Sequence, residues 1–189
     1  MNSKSTSARA TWALVLLFVI PIVGAYFLYM NRDSFEFNTT NYGEFLQPMQ
    51  PFSEFLVKPE LSKVKEWQLV YVTLSPCEAD CEKEILKLMT VHRALGRYET
   101  SMRPVLLLQQ QDLKDDPSTI TLWQERYPEL QRFAVMPEKW HTIFGQKTAG
   151  FFLVDPYDNV ILSYDAEAQG NGMLRDVRHL IKVADNAGN

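Results

Sequence analysis

Residues Thr11 to Met30 read TWALVLLFVIPIVGAYFLYM, twenty positions without a charge. As a helix rising 1.5 Å per residue, the run reaches roughly 30 Å, the hydrocarbon thickness of a bilayer. A transmembrane helix is therefore expected over 11–30. Pro21 would kink it but is tolerated in a membrane span. Trp12, Tyr26 and Tyr29 lie near its ends, where amphipathic rings favour the interface. Lys4 and Arg9 precede the span, while Arg32 beyond it is followed at once by Asp33. That bias predicts a cytoplasmic tail over 1–10 and sends the rest of the chain across the membrane. A cleaved signal peptide is the competing reading, but such segments have apolar cores of about 7–15 residues and a small-residue cleavage site. Here GAYFLYM offers bulky aromatics at that place, and no cysteine stands near the span to carry a lipid.

The chain has 189 residues and a net charge of -4. Its first thirty residues hold two cations and no acids, which leaves -6 for residues 31–189. Nucleic-acid binders neutralise phosphates with lysine and arginine, so so acidic a domain argues against a nucleic-acid partner. The length suits one domain of ordinary size plus an appendage. A lead-in is expected over 31–66, laying Phe45, Leu46, Phe52, Phe55 and Leu56 against a domain over 67–189.

From Trp67 the pattern becomes regular. WQLVYVTL (67–74) is apolar nearly throughout and too short for a helix, as a buried strand should be. Ser75-Pro76 ends it. A helix is expected from near Cys77, with Cys81, Ile85, Leu88, Met89, His92 and Leu95 on one face and Gly96 as its stop. RPVLLL (103–108) reads as a second buried strand, so strand, helix and strand predict a parallel crossover. Asp116-Pro117 would start a helix over about 118–127, and a shorter helical turn covers Glu138 to Phe144. GFFLV (150–154) and VILSY (160–164) flank DPYDN, the composition of an antiparallel hairpin turn. A last helix is expected over about 171–184. The order β-α-β-α-β-β-α is that of an α/β, thioredoxin-like sheet flanked by helices. In open sheets of this kind, functional groups gather beyond the carboxyl ends of the strands, where the cysteines fall.

Cys77 and Cys81 are the only cysteines. Side chains four apart on a helix have Cβ atoms about 5–6 Å apart, whereas a relaxed disulfide wants roughly 3.8 Å. A bridge therefore requires the first turn to be loosened, for instance with Cys77 outside the helix. As a structural staple, closing so short a loop constrains the unfolded chain by only about 2 kcal/mol. As an inert buried pair, the cysteines sit oddly in the polar segment CEADCEKE. Reactive thiols are the expectation that remains. The helix N-terminus favours their thiolates, while Glu78, Asp80, Glu82 and Glu84 oppose them by like-charge repulsion. Two soft thiolates would suit Cu(I) or zinc, though two ligands leave either site incomplete. Among histidines, His92 is roughly 16 Å along the helix axis from Cys81 and belongs to the apolar stripe. His179 sits among Arg175, Arg178 and Lys182 on the polar side of the last helix. His141 precedes the strand expected beside the first one, so it alone could approach the thiols.

The ordered combination of SPCEADC after a strand, FFLVDPYDNVILSY before a last helix and an N-terminal anchor resembles the Sco (SenC/PrrC) family of cytochrome c oxidase copper-assembly proteins. NYGEFLQP, WQLVYV and GMLRDVRHLIK add to the likeness, which extends over roughly residues 40–184. The resemblance implies a bacterial inner-membrane protein with a single span, a cytoplasmic N-terminus and a periplasmic thioredoxin-like domain. It implies a partner that is an oxidase subunit or a copper-assembly factor. In that family two cysteines and a histidine hold copper, which would make Cys77, Cys81 and a histidine the metal set. At the family's count Lys147 stands where the histidine lies, and only a gap would move His141 in. The family's proline after the second cysteine is replaced by Glu82, and no proline precedes Phe151 at the place of the thioredoxin cis-proline. Three functions follow. The first is thiol-disulfide oxidoreduction on a partner in oxidase assembly, with Cys77 attacking, Cys81 resolving and no cofactor required. The second is a Cu(I) metallochaperone using Cys77, Cys81 and His141. The third is a non-catalytic adaptor whose disulfide is structural.

Overall fold

The computed structural model of the chain describes residues 4–30, 41–59, 65–77, 79–112, 123 and 125–187. The chain divides into two compact units, Met1–Thr40 and Asn41–Asn189. The first unit contains helix α1 (Lys4–Met30), with Pro21 inside it. The side chains described without a break in α1 run from Trp12 to Phe27, and all are exposed. Among the described residues, no helix is long and apolar enough to cross a membrane.

The second unit is built on a sheet of six strands among the described residues: β1 (Glu44–Pro51), β2 (Trp67–Thr73), β3 (Met102–Gln109), β4 (Gln131–Val135), β5 (Ala149–Val154) and β6 (Asn159–Asp165), in the order β1-β6-β5-β2-β3-β4. The pairs β2/β3 and β3/β4 are parallel, and the other three neighbours are antiparallel. Helices α2 (Ala79–Ala94) and α4 (Gly170–Ala187) cover one face. Helix α3 (Pro137–Phe144) and a 3₁₀ turn (Phe52–Phe55) cover the other.

This layering explains the apolar run at 67–74. Leu69 and Tyr71 face α2 and α4, Val70 and Val72 face α3, and every residue of β2 is buried. Burial on both faces removes the alternation that a half-exposed strand would show. Helix α2 buries Cys81, Ile85, Leu88, Met89 and His92, the face expected from sequence. His92 Nε2 lies 3.1 Å from the Met102 carbonyl, so this histidine is a satisfied core residue. The helix gives out at Gly96, whose φ of +61 suits a residue without a Cβ. The hairpin at 155–159 is closed by Asp155, whose Oδ1 accepts the amides of Tyr157 (2.9 Å) and Asn159 (2.8 Å).

Two strands lie outside the expected pattern, and both are sheet edges. β1 falls in the segment expected as a lead-in, where Phe52, Phe55 and Leu56 are buried as anticipated but Phe45 is exposed. Pro48 and Pro51 disguise it, since proline cannot donate to a ladder and is confined to edges and strand ends. β4 is short, and only Val135 in it is fully buried. The helix expected over 118–127 falls largely outside the described residues, of which Trp123, Glu125 and Arg126 are helical.

The start of the second unit is pinned to α4. Asp176, buried in that helix, accepts the amides of Tyr42 (2.8 Å) and Gly43 (2.9 Å) and the Tyr164 hydroxyl (3.2 Å). Burial, reinforced by the Asp176 carboxylate, pushes the Tyr164 hydroxyl well above its ordinary value. A Cβ on Gly43 would lie 2.6 Å from the Tyr164 ring, and one on Gly172 would lie 2.7 Å from that of Tyr42. Both glycines permit this close approach.

Candidate functional site

Strand β2 delivers the chain to the carboxyl edge of the sheet, where a local turn re-aims it. Thr73 Oγ1 accepts the Ser75 amide at 3.2 Å and donates to the Ser75 carbonyl at 3.1 Å. The Leu74 amide donates to the Thr148 carbonyl at 2.8 Å, and the Gln109 side chain donates to the Leu74 carbonyl. Pro76 follows, then Cys77 in the connection, and α2 begins only at Ala79. Cys81 lies in the first turn of that helix.

The two cysteines form a disulfide with a Cα–Cα distance of 5.0 Å. Cys77 outside the helix is the arrangement that lets residues four apart be bridged. The two sulfurs differ in surroundings. Cys81 is buried against the α2 face of the core, whereas Cys77 is half-buried at its margin. Cys77 is thus the more exposed of the two.

Beside the disulfide is a cleft of about 500 Å³ lined by Cys81, Tyr71, Thr73, Asp80, Glu84 and Ala149, among others. Its charge is organised beneath the sulfurs. Glu84, one turn past Cys81, pairs with Lys87. Lys87 Nζ also donates to the Ala166 carbonyl at 2.8 Å and lies 5.3 Å from the centre of the Phe151 ring. Tyr71 packs on Phe151 with ring centres 4.9 Å apart. Burial, with help from the Glu84 carboxylate, pushes the Tyr71 hydroxyl up to about 12, so it stays protonated at neutral pH. The acids around Cys81 were visible in sequence. The Tyr71–Glu84–Lys87 grouping was not, although the spacing of 84 and 87 from 81 by threes marks one helical face.

His141 is on α3, whose Trp140 and Phe144 pack on Phe152 on the sheet face opposite the cysteines. Its side chain is exposed, and Nδ1 donates to the Gly145 carbonyl at 2.7 Å. Lys147 donates to Asp165 at 2.7 Å, and that bond chiefly holds its ammonium above its ordinary value. His179 lies exposed on α4. The structure thus brings Cys77 and Cys81 together and leaves all three histidines outside their arrangement. Among the described residues, no group of three His, Cys, Asp or Glu side chains is placed to hold a metal ion.

Residues 67–184 match a protein family described as transmembrane-like, thioredoxin-like, C-terminal domain. No curated protein matches the sequence. Among solved structures, apo Sco1 from Thermus thermophilus is similar with a TM-score of 0.55 and 21% identity, covering 76% of this chain and 99% of that one. Yeast Sco1 with copper bound is similar with a TM-score of 0.51 and 14% identity, covering 65% and 82%. Copper-bound ScoI from Arabidopsis thaliana gives 0.50 and 16%, covering 65% and 88%. At these identities the likeness is one of fold.

Proposed function

The chain belongs to the family of transmembrane-like, thioredoxin-like C-terminal domains, and we propose that it is a membrane-anchored factor for respiratory cytochrome oxidase assembly that exchanges thiols and disulfides with a partner protein. The asymmetry of the cysteine pair supports exchange: a half-buried Cys77 outside the helix is bonded to a buried Cys81 in its first turn. The resemblance of SPCEADC and FFLVDPYDNVILSY to the Sco family supports the oxidase context. The uncharged run at 11–30 supports a single span of a bacterial inner membrane, with the domain in the periplasm.

In the reduced protein, the Cys77 thiolate attacks one sulfur of a partner disulfide. A mixed disulfide forms and one partner thiolate leaves. The Cys81 thiolate then attacks Cys77 Sγ, the second partner thiolate leaves, and the Cys77–Cys81 bond forms. Two electrons pass to the partner, and the bridged state in the structure is the product. A dithiol reductant restores the pair by the reverse steps. The target would be partner cysteines that must be reduced before they receive copper.

Among the described residues, Cys77 and Cys81 do not by themselves complete a copper site. After reduction the two sulfurs offer two ligands, and among the described residues no third His, Cys, Asp or Glu is placed to join them. Copper therefore enters as the partner's cargo, and no step is routed through it here.

A Cys81→Ser variant is expected to accumulate mixed disulfides with its partner through Cys77, while Cys77→Ser traps none. Unaltered oxidase activity after loss of both cysteines would refute the proposal. The reduction potential separates it from the adaptor reading: exchange requires a value above about -300 mV, the range below which structural disulfides resist reduction.

A further inference from the structure

At the far end of α2 from the disulfide, a second cleft of about 780 Å³ opens against the flank of α4. Leu95 in its wall is fourteen residues past Cys81, roughly 21 Å along the helix direction. Arg97, Arg175, Arg178 and Lys182 line the cleft, with Leu174 in its floor and no carboxylate in the lining. None of the four cations makes an ion pair with a carboxylate among the described residues. Arg97 donates to the Tyr98 hydroxyl, Arg178 donates to the Ala94 carbonyl, and Arg175 lies over the Tyr42 ring at 5.9 Å. Such a concentration stands out in a domain whose residues 31–189 sum to -6. Asp80, Glu84 and Glu167, with Lys83 as the one cation, line the cleft at the disulfide end. The linings of the two clefts thus differ in sign, net acidic beside the sulfurs and basic at the opposite end.

The basic end is also where the chain joins the fold. Tyr42 lies under Arg175, and the Tyr42 and Gly43 amides are bonded to Asp176 on the same helix. Eleven residues separate Met30, the end of α1, from Tyr42, and twelve steps of no more than about 3.6 Å reach at most roughly 43 Å. We propose that this cleft binds the phosphate groups of anionic phospholipids. The proposal rests on the membrane-anchored reading. Arginine forks match phosphate oxygens two at a time, and Lys182 adds a point charge. An acidic protein segment would meet the same cations, but the position of the tether favours lipid.

The full chain is to be placed in lipid nanodiscs, either wholly zwitterionic or containing phosphatidylglycerol. The amine-modification rate of Lys182 is then read by mass spectrometry against exposed Lys83 at the other end. The expected result is a Lys182 rate at least about fivefold lower in anionic discs, each cation near an anionic surface being worth about that factor. High salt should abolish the protection. R175Q/R178Q should abolish it too, and the salt arm holds should that variant misfold. A chain that does not co-elute with the discs defeats the anchor reading and this proposal with it. Co-elution with equal Lys182 rates in both discs overturns the proposal alone. Equal protection by inorganic phosphate in zwitterionic discs would assign a free-anion site and overturn it. Protection by polyglutamate but not by anionic lipid would overturn it in favour of an acidic protein segment.

Discussion

Replacing Asp176 with alanine tests how the second unit is closed. The carboxylate is 2% exposed and holds three donors: the Tyr42 and Gly43 amides and the Tyr164 hydroxyl. The Tyr42 amide is only part-buried and can turn to water. The Gly43 amide and the Tyr164 hydroxyl are buried and cannot. Each buried donor left unsatisfied costs about 1–3 kcal/mol, so the pair costs roughly 2–6 kcal/mol. Removing a desolvated carboxylate offsets part of this, and a net loss of about 3 kcal/mol is expected. For a domain of about 150 residues that corresponds to roughly 6–12 °C in Tm. Asp176→Asn keeps one acceptor oxygen and should lose about half as much. The assay is urea unfolding of residues 41–189 followed by tryptophan fluorescence. A second readout is Tyr164: without Asp176 its hydroxyl should titrate lower, still raised by burial. An alanine variant within about 0.5 kcal/mol of the parent, the range of an ordinary surface change, would refute this account.

Gly43→Ala should cost about 1–3 kcal/mol, because its Cβ would press on the Tyr164 ring. It acts on the same Tyr164–Asp176 contact, so combined with Asp176→Ala it should fall short of the sum in a double-mutant cycle. Glu66 is held below its ordinary value of 4.5, chiefly by its hydrogen bond to Arg103. A lowered carboxyl contributes stability that is full above that ordinary value and lost as pH falls through the lowered one. Arg103→Ala should therefore flatten part of the acid limb of stability against pH; the pair is about one-third exposed, so the effect is under about 1 kcal/mol. Leu153→Ala, fully buried between β2 and β6, should cost about 2–5 kcal/mol in the same unfolding assay. Glu84→Gln removes a negative charge from the cleft that holds Cys81, and the thiols of the reduced protein should then titrate at lower pH by ultraviolet absorbance.

What the sequence determined was the buried framework and the place of the sulfurs. β2, β3 and β5 are covered on both faces, so their apolar runs are long enough to read without any partner in view. Likewise α2 and α4 carry their apolar stripes at helical spacing, and Cys77 follows β2 by chain order alone. Tertiary structure decided what depends on neighbours. β1 and β4 are edges, paired on one side only, and with prolines or half-exposed residues they become strands because β6 and β3 supply a ladder. His141 precedes β5 in sequence, yet α3 packs on the face opposite α2, which separates it from the cysteines. The cationic cleft joins the end of α2 to α4, about eighty residues later, because α-helix packing on one sheet face ignores sequence distance. Local pattern records burial and period; which side of the sheet a helix covers is fixed only when the layers close.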